Sequence, residues 1–230
     1  MSLGDTRENP LKLVRVNSLS VLVQEEIERM ILSGEIATGE WLNESSLAQR
    51  FGLSRGPVRE AFRALGESGL VRIVKNQGVF VREVSVVEAD QIYDLREALD
   101  ELVGRKVAAT ATRDQIKILH ELLDEMDTAT GANDVTRYHT LNLRFHDLLV
   151  ESTANAKLII TYRRLIKELH LFRLRGLAQF GGLRNSNEEH RMIVKAIELK
   201  DAETAGRALK AHVVKSRDRM HKAYGVNAAD

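Results

Sequence analysis

From Val87 to Lys222 the apolar residues return every third or fourth position, and no stretch in between alternates as a strand would. A run of that kind has one way to bury itself: helices laid side by side with their apolar stripes turned inward. The breaks are visible. Val87–Thr112 carries Ile92, Leu95, Leu99, Leu102 and Val103 on one stripe, and Arg113–Ala129 carries Ile116, Leu119, Leu122, Leu123 and Met126. The polar segment Thr130–Asp134 interrupts the pattern, and Asn133 is placed to cap a third helix ending near Glu151. Asn155–Phe180 reads as a fourth, and Gly181–Asn185 as a loop. Ser186-Asn187-Glu188-Glu189 has the spacing of a capping box that opens a fifth helix to Leu199, and Asp201 caps a sixth to Lys222. Only two prolines occur in the 230 residues, which suits helices and argues against a loop-rich sandwich.

The first third is built differently. Residues 1–16 show no sustained period and read as a tail. A helical pattern starts at Ser18, with Val21, Val23, Ile27, Met30 and Ile31 at its spacing, and stops at Ser33-Gly34. A short helix opens near Asn43 and ends at Gly52. Ser54 is a good cap for the next helix, Pro57 is tolerated in its first turn, and Val58, Ala61, Phe62 and Leu65 are its inward stripe. Leu70–Val74 and Val79–Val84 are β-rich and flank the turn Lys75-Asn76-Gln77-Gly78, which is a hairpin. Helix, short helix, glycine turn, capped helix and hairpin make a winged helix-turn-helix, in which the capped helix enters the DNA major groove. The expected fold is therefore mainly α: a winged helix-turn-helix over residues 17–84, then an all-α antiparallel bundle of about six helices over 85–230.

Charge fits that placement only when read locally. The chain has 34 Lys and Arg against 33 Asp and Glu, so it is not globally basic. Residues 50–82 nevertheless hold Arg50, Arg55, Arg59, Arg63, Arg72, Lys75 and Arg82 against Glu60 and Glu67 alone. Arg55, Arg59 and Arg63 repeat every fourth residue, opposite the inward stripe of the capped helix. Arginine forks match guanine O6 and N7, and a basic surface neutralises phosphate.

The segment "LNESSLAQRFGLSRGPVREAFRALGESGLVRIVKNQGVFV" resembles the DNA-binding domain of the GntR superfamily of bacterial transcription regulators, and the helical half resembles the FCD ligand domain of its FadR subfamily. The resemblance implies DNA contacts at Ser54, Arg55, Gly56, Arg59 and Arg63, with Gln77 and Gly78 on the wing. Some members place a further arginine early in the second helix, where this chain has Ser45. It also implies a ligand-responsive regulator, expected to repress, that binds palindromic double-stranded operator DNA as a homodimer.

Seven histidines occur, and three of them sit on inward stripes. His190 lies with Ile193, Val194 and Ile197; His212 with Leu209 and Val213; His146 between Phe145 and Leu149, one turn after Asn142. Each alone reads as a core histidine satisfied by a hydrogen bond. Three on separate helices point to a divalent metal. The FCD resemblance implies the ligand set Asn142, His146, His190 and His212, with Asn142 where an aspartate is usual. Neutral donors of this kind suit Zn²⁺ or Ni²⁺. The resemblance further implies that Arg96 faces a small carboxylate effector, an organic or sugar acid; its other reading is a surface salt bridge with Asp100.

Two enzymatic patterns need weighing. Gly52-Leu53-Ser54-Arg55-Gly56 matches a hydrolase nucleophile elbow, but that motif needs a preceding strand and a parallel sheet. His146-Asp147 raises the alternative of an HD-type metal-dependent phosphohydrolase, but no second inward carboxylate accompanies it. The expectation is no enzyme. No apolar run approaches the roughly 20 residues of a membrane span, and no leader pattern opens the sequence, so the expected location is cytoplasmic.

Overall fold

Proline lacks the N–H that a helix leaves unpaired in its first turn, so it suits a helix start. In the computed structural model, which describes residues 10–174 and 182–224, the first helix does start at a proline: α1 runs Pro10–Leu32. Residues 10–16, expected to be a tail, are its opening turns, and no glycine interrupts the run to Leu32. Its buried residues Val23, Ile27, Met30 and Ile31 keep helical spacing.

Two short helices follow, α2 (Glu44–Phe51) and α3 (Arg55–Glu67). Asn43 caps α2, its Oδ1 accepting from the N–H groups of Ser45 and Ser46 at 2.9 Å each. Gly52 ends α2 in the left-handed region at φ 65°, which turns the chain into α3 without a Cβ penalty. Ser54 takes the extended backbone of an N-cap, yet its side chain makes no capping bond. The stripe Val58, Ala61, Phe62 and Leu65 is buried as expected.

The hairpin is β2 (Val71–Val74) and β3 (Gly78–Val81), antiparallel with Val71 opposite Val81 and Val74 opposite Gly78. A third strand, β1 (Trp41–Leu42), pairs with β3, so the sheet order is β1-β3-β2. Two residues give no periodic signal, and for that reason β1 was invisible in the sequence.

The remaining helices are α4 (Val86–Thr110), α5 (Arg113–Gly131), α6 (Val135–Ser152), α7 (Ala156–Leu174), α8 (Leu183–Glu198) and α9 (Ala202–Tyr224). The expected end of the fourth bundle helix at Phe180 lies outside the described residues. Thr112 and Gln115 form a reciprocal capping box at the start of α5. Asp134, not Asn133, caps α6, accepting from the Arg137 N–H at 2.9 Å. The capping box expected at Ser186 does not form. Gly182, at φ 94°, precedes α8, so Ser186 and Asn187 fall inside the helix and are buried.

The bundle core is a continuous apolar cluster with Leu122, Met126, Phe145, Leu149, Ile193 and Leu209 among its members. α4 and α9 pack most closely of all. A Cβ on Gly104 would lie 2.5 Å from the Ala205 carbonyl oxygen, and one on Gly206 would lie 3.0 Å from the Glu101 carbonyl oxygen. The described residues divide into two compact units: those through Val84 together with α7 from Lys167 onward, and the rest.

Candidate functional site

Three histidines meet inside the bundle. His146 comes from α6, His190 from α8 and His212 from α9, and all three are buried. Each brings one ring nitrogen into a group whose members lie within 4.8 Å of one another. Ring centroids are 5.0 Å apart for His146 and His212, 5.2 Å for His146 and His190, and 4.5 Å for His190 and His212. Phe145 walls the group, its ring 4.5 Å from His190 and 5.4 Å from His146. Asn142 is half-buried, one turn before His146 on α6.

The donor set fits a divalent ion on three counts. The Nε2 atoms of His190 and His212 stand 3.3 Å apart. Two nitrogens bound at ~2.05 Å on a tetrahedral ion are separated by about 3.3 Å. Protonation is also suitable. Burial, with His212 and Arg219 nearby, holds the His190 imidazole well below its ordinary value; burial also lowers His212, against the pull of Glu189. Both rings are therefore neutral at physiological pH, as a ligand must be. The third count is orientation: His212 Nδ1 lies 2.8 Å from Glu189 Oε2. A carboxylate there keeps the proton on Nδ1 and turns the Nε2 lone pair to the cluster.

In the sequence Glu189 has the place of the far end of a capping box, and that local signal hides its role beside His212. Its carboxylate, buried on α8, also accepts from Arg219 Nη1 at 3.0 Å and Nη2 at 3.1 Å. Burial alone would raise its carboxyl; the hydrogen bonds from His212 and Arg219 outweigh that and hold it at about 2. The signal was present on α9, where His212, Lys215 and Arg219 share one face and require an acid opposite.

Arg96 is buried, not a surface residue. Its Nε lies 3.2 Å from Asp100 Oδ2, and its Nη2 donates to the Tyr162 hydroxyl at 3.1 Å. Tyr162 in turn donates to Asp100 Oδ1 at 3.0 Å. Burial pushes the Asp100 carboxyl up, with Arg96 and Tyr162 opposing. The salt bridge with Asp100 thus forms, but as a closed internal triangle. Asp147 does not join His146 at the cluster: it is clamped by Arg163, with Nε to Oδ1 at 2.6 Å and Nη2 to Oδ2 at 2.8 Å. The phosphohydrolase alternative loses its second ligand with that contact.

On the N-terminal unit, Arg55, Gly56, Arg59 and Arg63 all lie on the exposed face of α3. A Cβ on Gly56 would meet nothing within 4 Å. Arg59 pairs with Glu44 and Arg63 with Glu60, while Arg50 pairs with Glu35. The local basic excess is therefore partly folded against acids from its own unit. Lys75 and Gln77 are exposed at the hairpin turn. Gly78, at φ 117°, has a structural reason of its own: a Cβ would sit 2.6 Å from Trp41 Nε1.

Comparisons with known proteins agree with this division. Residues 19–81 match the model for bacterial regulatory proteins of the gntR family, and residues 91–215 match the FCD domain. The chain is 31% identical to the uncharacterised HTH-type transcriptional regulator YdhC of Bacillus subtilis, over 81% of this chain and 84% of that protein. It is 24% identical to the gluconate operon transcriptional repressor of Bacillus subtilis, over 84% of this chain and 81% of the repressor. Among solved structures, E. coli McbR/YncC superposes with a TM-score of 0.76 at 22% identity, covering 90% of this chain and 98% of that one.

Proposed function

Since the chain belongs to the gntR family of bacterial regulatory proteins and carries an FCD domain, we propose that it is a repressor that binds palindromic operator DNA as a homodimer and releases it on binding a small organic or sugar acid. It is a transcription regulator and not an enzyme, as its relatives are.

One observation carries the sensing half of this reading: three imidazoles from three helices converge in a buried cluster, with an Nε2 pair at the spacing one ion requires. His146, His190 and His212 would hold Zn²⁺ or Ni²⁺, with Asn142 offering its amide oxygen from the preceding turn of α6. Such an ion supplies a Lewis-acidic centre with open positions for a carboxylate. Arg96 is the protein cation assigned to the effector. Asp100 and Tyr162 engage Nε and Nη2, and a guanidinium has five N–H donors to share. The gluconate operon repressor among the relatives supports a sugar acid as effector.

The DNA half rests on α3. Ser54 leaves its hydroxyl uncommitted to capping, and Arg55 is exposed with no carboxylate partner among the described residues. These features support operator contacts by Ser54 and Arg55 together with Gly56, Arg59 and Arg63, with Gln77 and Gly78 contributing from the wing. A single winged helix reads a short half-site, so two copies are needed for a palindrome. The exposed apolar residues Leu95 and Leu102, seven apart on α4, support a dimer through that helix. Operator DNA in bacteria lies in the cytoplasm, which supports a cytoplasmic location; among the described residues no helix is long and apolar enough to cross a membrane.

The test combines metal analysis of the purified protein with calorimetric titration of gluconate and citrate, with and without a chelator. Metal near one equivalent per chain, lost in His190→Ala, is the expected result. Unchanged metal content in that variant retires the site, and equal acid binding with and without chelator removes the ion's anchoring role.

A further inference from the structure

A guanidinium offers its hydrogen-bond donors along two usable edges. The side edge joins Nε and Nη2; the end joins Nη1 and Nη2. In Arg59 the side edge is taken: Nε donates to Glu44 Oε2 at 3.1 Å and Nη2 to Glu44 Oε1 at 2.8 Å. The arrangement is parallel and bidentate, which fixes the plane of the guanidinium as well as its position.

The local fold explains why Glu44 can do this. Glu44 is the first residue of α2, and the Asn43 side chain already accepts from the N–H groups of Ser45 and Ser46. The carboxylate is thus released from capping and turns toward α3, fifteen residues on. Glu44 is the more sheltered partner, with 26% of its side chain exposed against 58% for Arg59. The acid is the anchor, and the end of the arginine projects beyond it.

We propose that Glu44 is a positioning residue that determines specificity: it holds Arg59 by the side edge and aims the Nη1–Nη2 end at guanine O6 and N7. This rests on the reading of Arg59 as a base contact. The physical logic separates two kinds of attraction. Binding to phosphate follows net charge, and Glu44 cancels the charge of Arg59. Reading a base follows the direction of donors, and Glu44 fixes that direction. The pair therefore suppresses indiscriminate DNA binding while keeping base discrimination. Ser45 stands where the family resemblance allows a further arginine early in α2, so the aimed Arg59 carries more of the reading.

The test uses the full-length protein and selection from a randomised duplex DNA library, with Arg59→Ala, Glu44→Ala and the isosteric Glu44→Gln compared with the unaltered chain. Base preference is a ratio within one preparation, so partial loss of folded protein does not move it. Arg59→Ala identifies the position that Arg59 reads. At that position the guanine preference is expected to fall about tenfold in Glu44→Ala and by an intermediate factor in Glu44→Gln. Binding of Glu44→Ala to non-specific duplex should tighten, with a salt slope steeper by about 0.9 per subunit. Loss of preference in Arg59→Ala with full retention in Glu44→Ala overturns the positioning role alone. Full retention in Arg59→Ala overturns the base contact, and the inference with it.

Discussion

Replacing Glu189 by Gln keeps the side chain's shape and removes its charge. The consequence can be worked from the contacts. Glu189 takes one hydrogen bond from His212 at 2.8 Å and two from Arg219 at 3.0 and 3.1 Å. An amide has one acceptor oxygen: in the place of Oε2 it keeps His212 and Arg219 Nη2 but sets its NH₂ group against Arg219 Nη1, and in the place of Oε1 it sets the NH₂ group against His212. Hydrogen bonds to charged groups contribute about 1.5–3 kcal/mol each. Breaking a fully buried pair costs about 3–5 kcal/mol, but Arg219 is partly exposed and regains water, so the expected loss of stability is about 2–3 kcal/mol. A separate effect falls on the cluster. Without the carboxylate, the His212 proton is no longer confined to Nδ1, and Zn²⁺ affinity should drop about 10–100-fold. That is about 1.4–2.8 kcal/mol. Urea unfolding of the metal-free protein reads the first quantity. Competition for Zn²⁺ against a chromogenic chelator reads the second. A variant that loses the stability but binds Zn²⁺ as tightly as before would refute the argument that Glu189 orients His212.

The same packing makes three more predictions. Gly104→Ala should cost about 1–3 kcal/mol in urea unfolding, because its Cβ meets the Ala205 carbonyl; a neutral result would mean that α4 and α9 separate without strain. The metal-free protein should keep constant stability above about pH 7 and lose it as pH falls below about 6.5, by up to about 1.4 kcal/mol per pH unit for each of His190 and His212. The sign follows from their lowered folded values: the unfolded chain binds the extra protons. A urea midpoint that stays flat from pH 7.5 to 5.5 contradicts neutral buried rings. Leu95→Asp and Leu102→Asp should sediment as helical monomers, whereas dimers that persist would move the interface away from α4.

What the sequence made legible was whatever repeats. The six bundle helices, the inward stripe of α3 and the hairpin follow periods that the fold keeps, although Leu95 and Leu102, which share the α4 stripe in the sequence, stand exposed. The three histidines were legible because they fell on those periods. The errors share one cause: a local signal competed with a distant partner and lost. Ser186 and Glu189 have the spacing of a cap, but burial draws Ser186 inside α8, and His212 and Arg219 claim Glu189 from α9. Arg96 pairs with Asp100 as the i, i+4 spacing suggested; that the pair is buried depends on Tyr162, far along the chain. The pairing of Arg59 with Glu44 was equally hidden, since fifteen residues separate them. The end of α7 from Lys167 joins the N-terminal unit, which no periodicity in α7 announces.

The close approach of α4 and α9 also constrains how this sequence can drift. Most tight contacts can be relieved by trimming the side chain opposite. At Gly104 the atom opposite is the carbonyl oxygen of residue 205, which every amino acid carries. No second-site substitution removes it, so the position is closed to stepwise compensation. Gly206 is closed less completely, because two of the three nearest atoms a Cβ would meet belong to the movable side chain of Arg105. Lineages that lose the glycine at 104 must shift a whole helix, and with it His212.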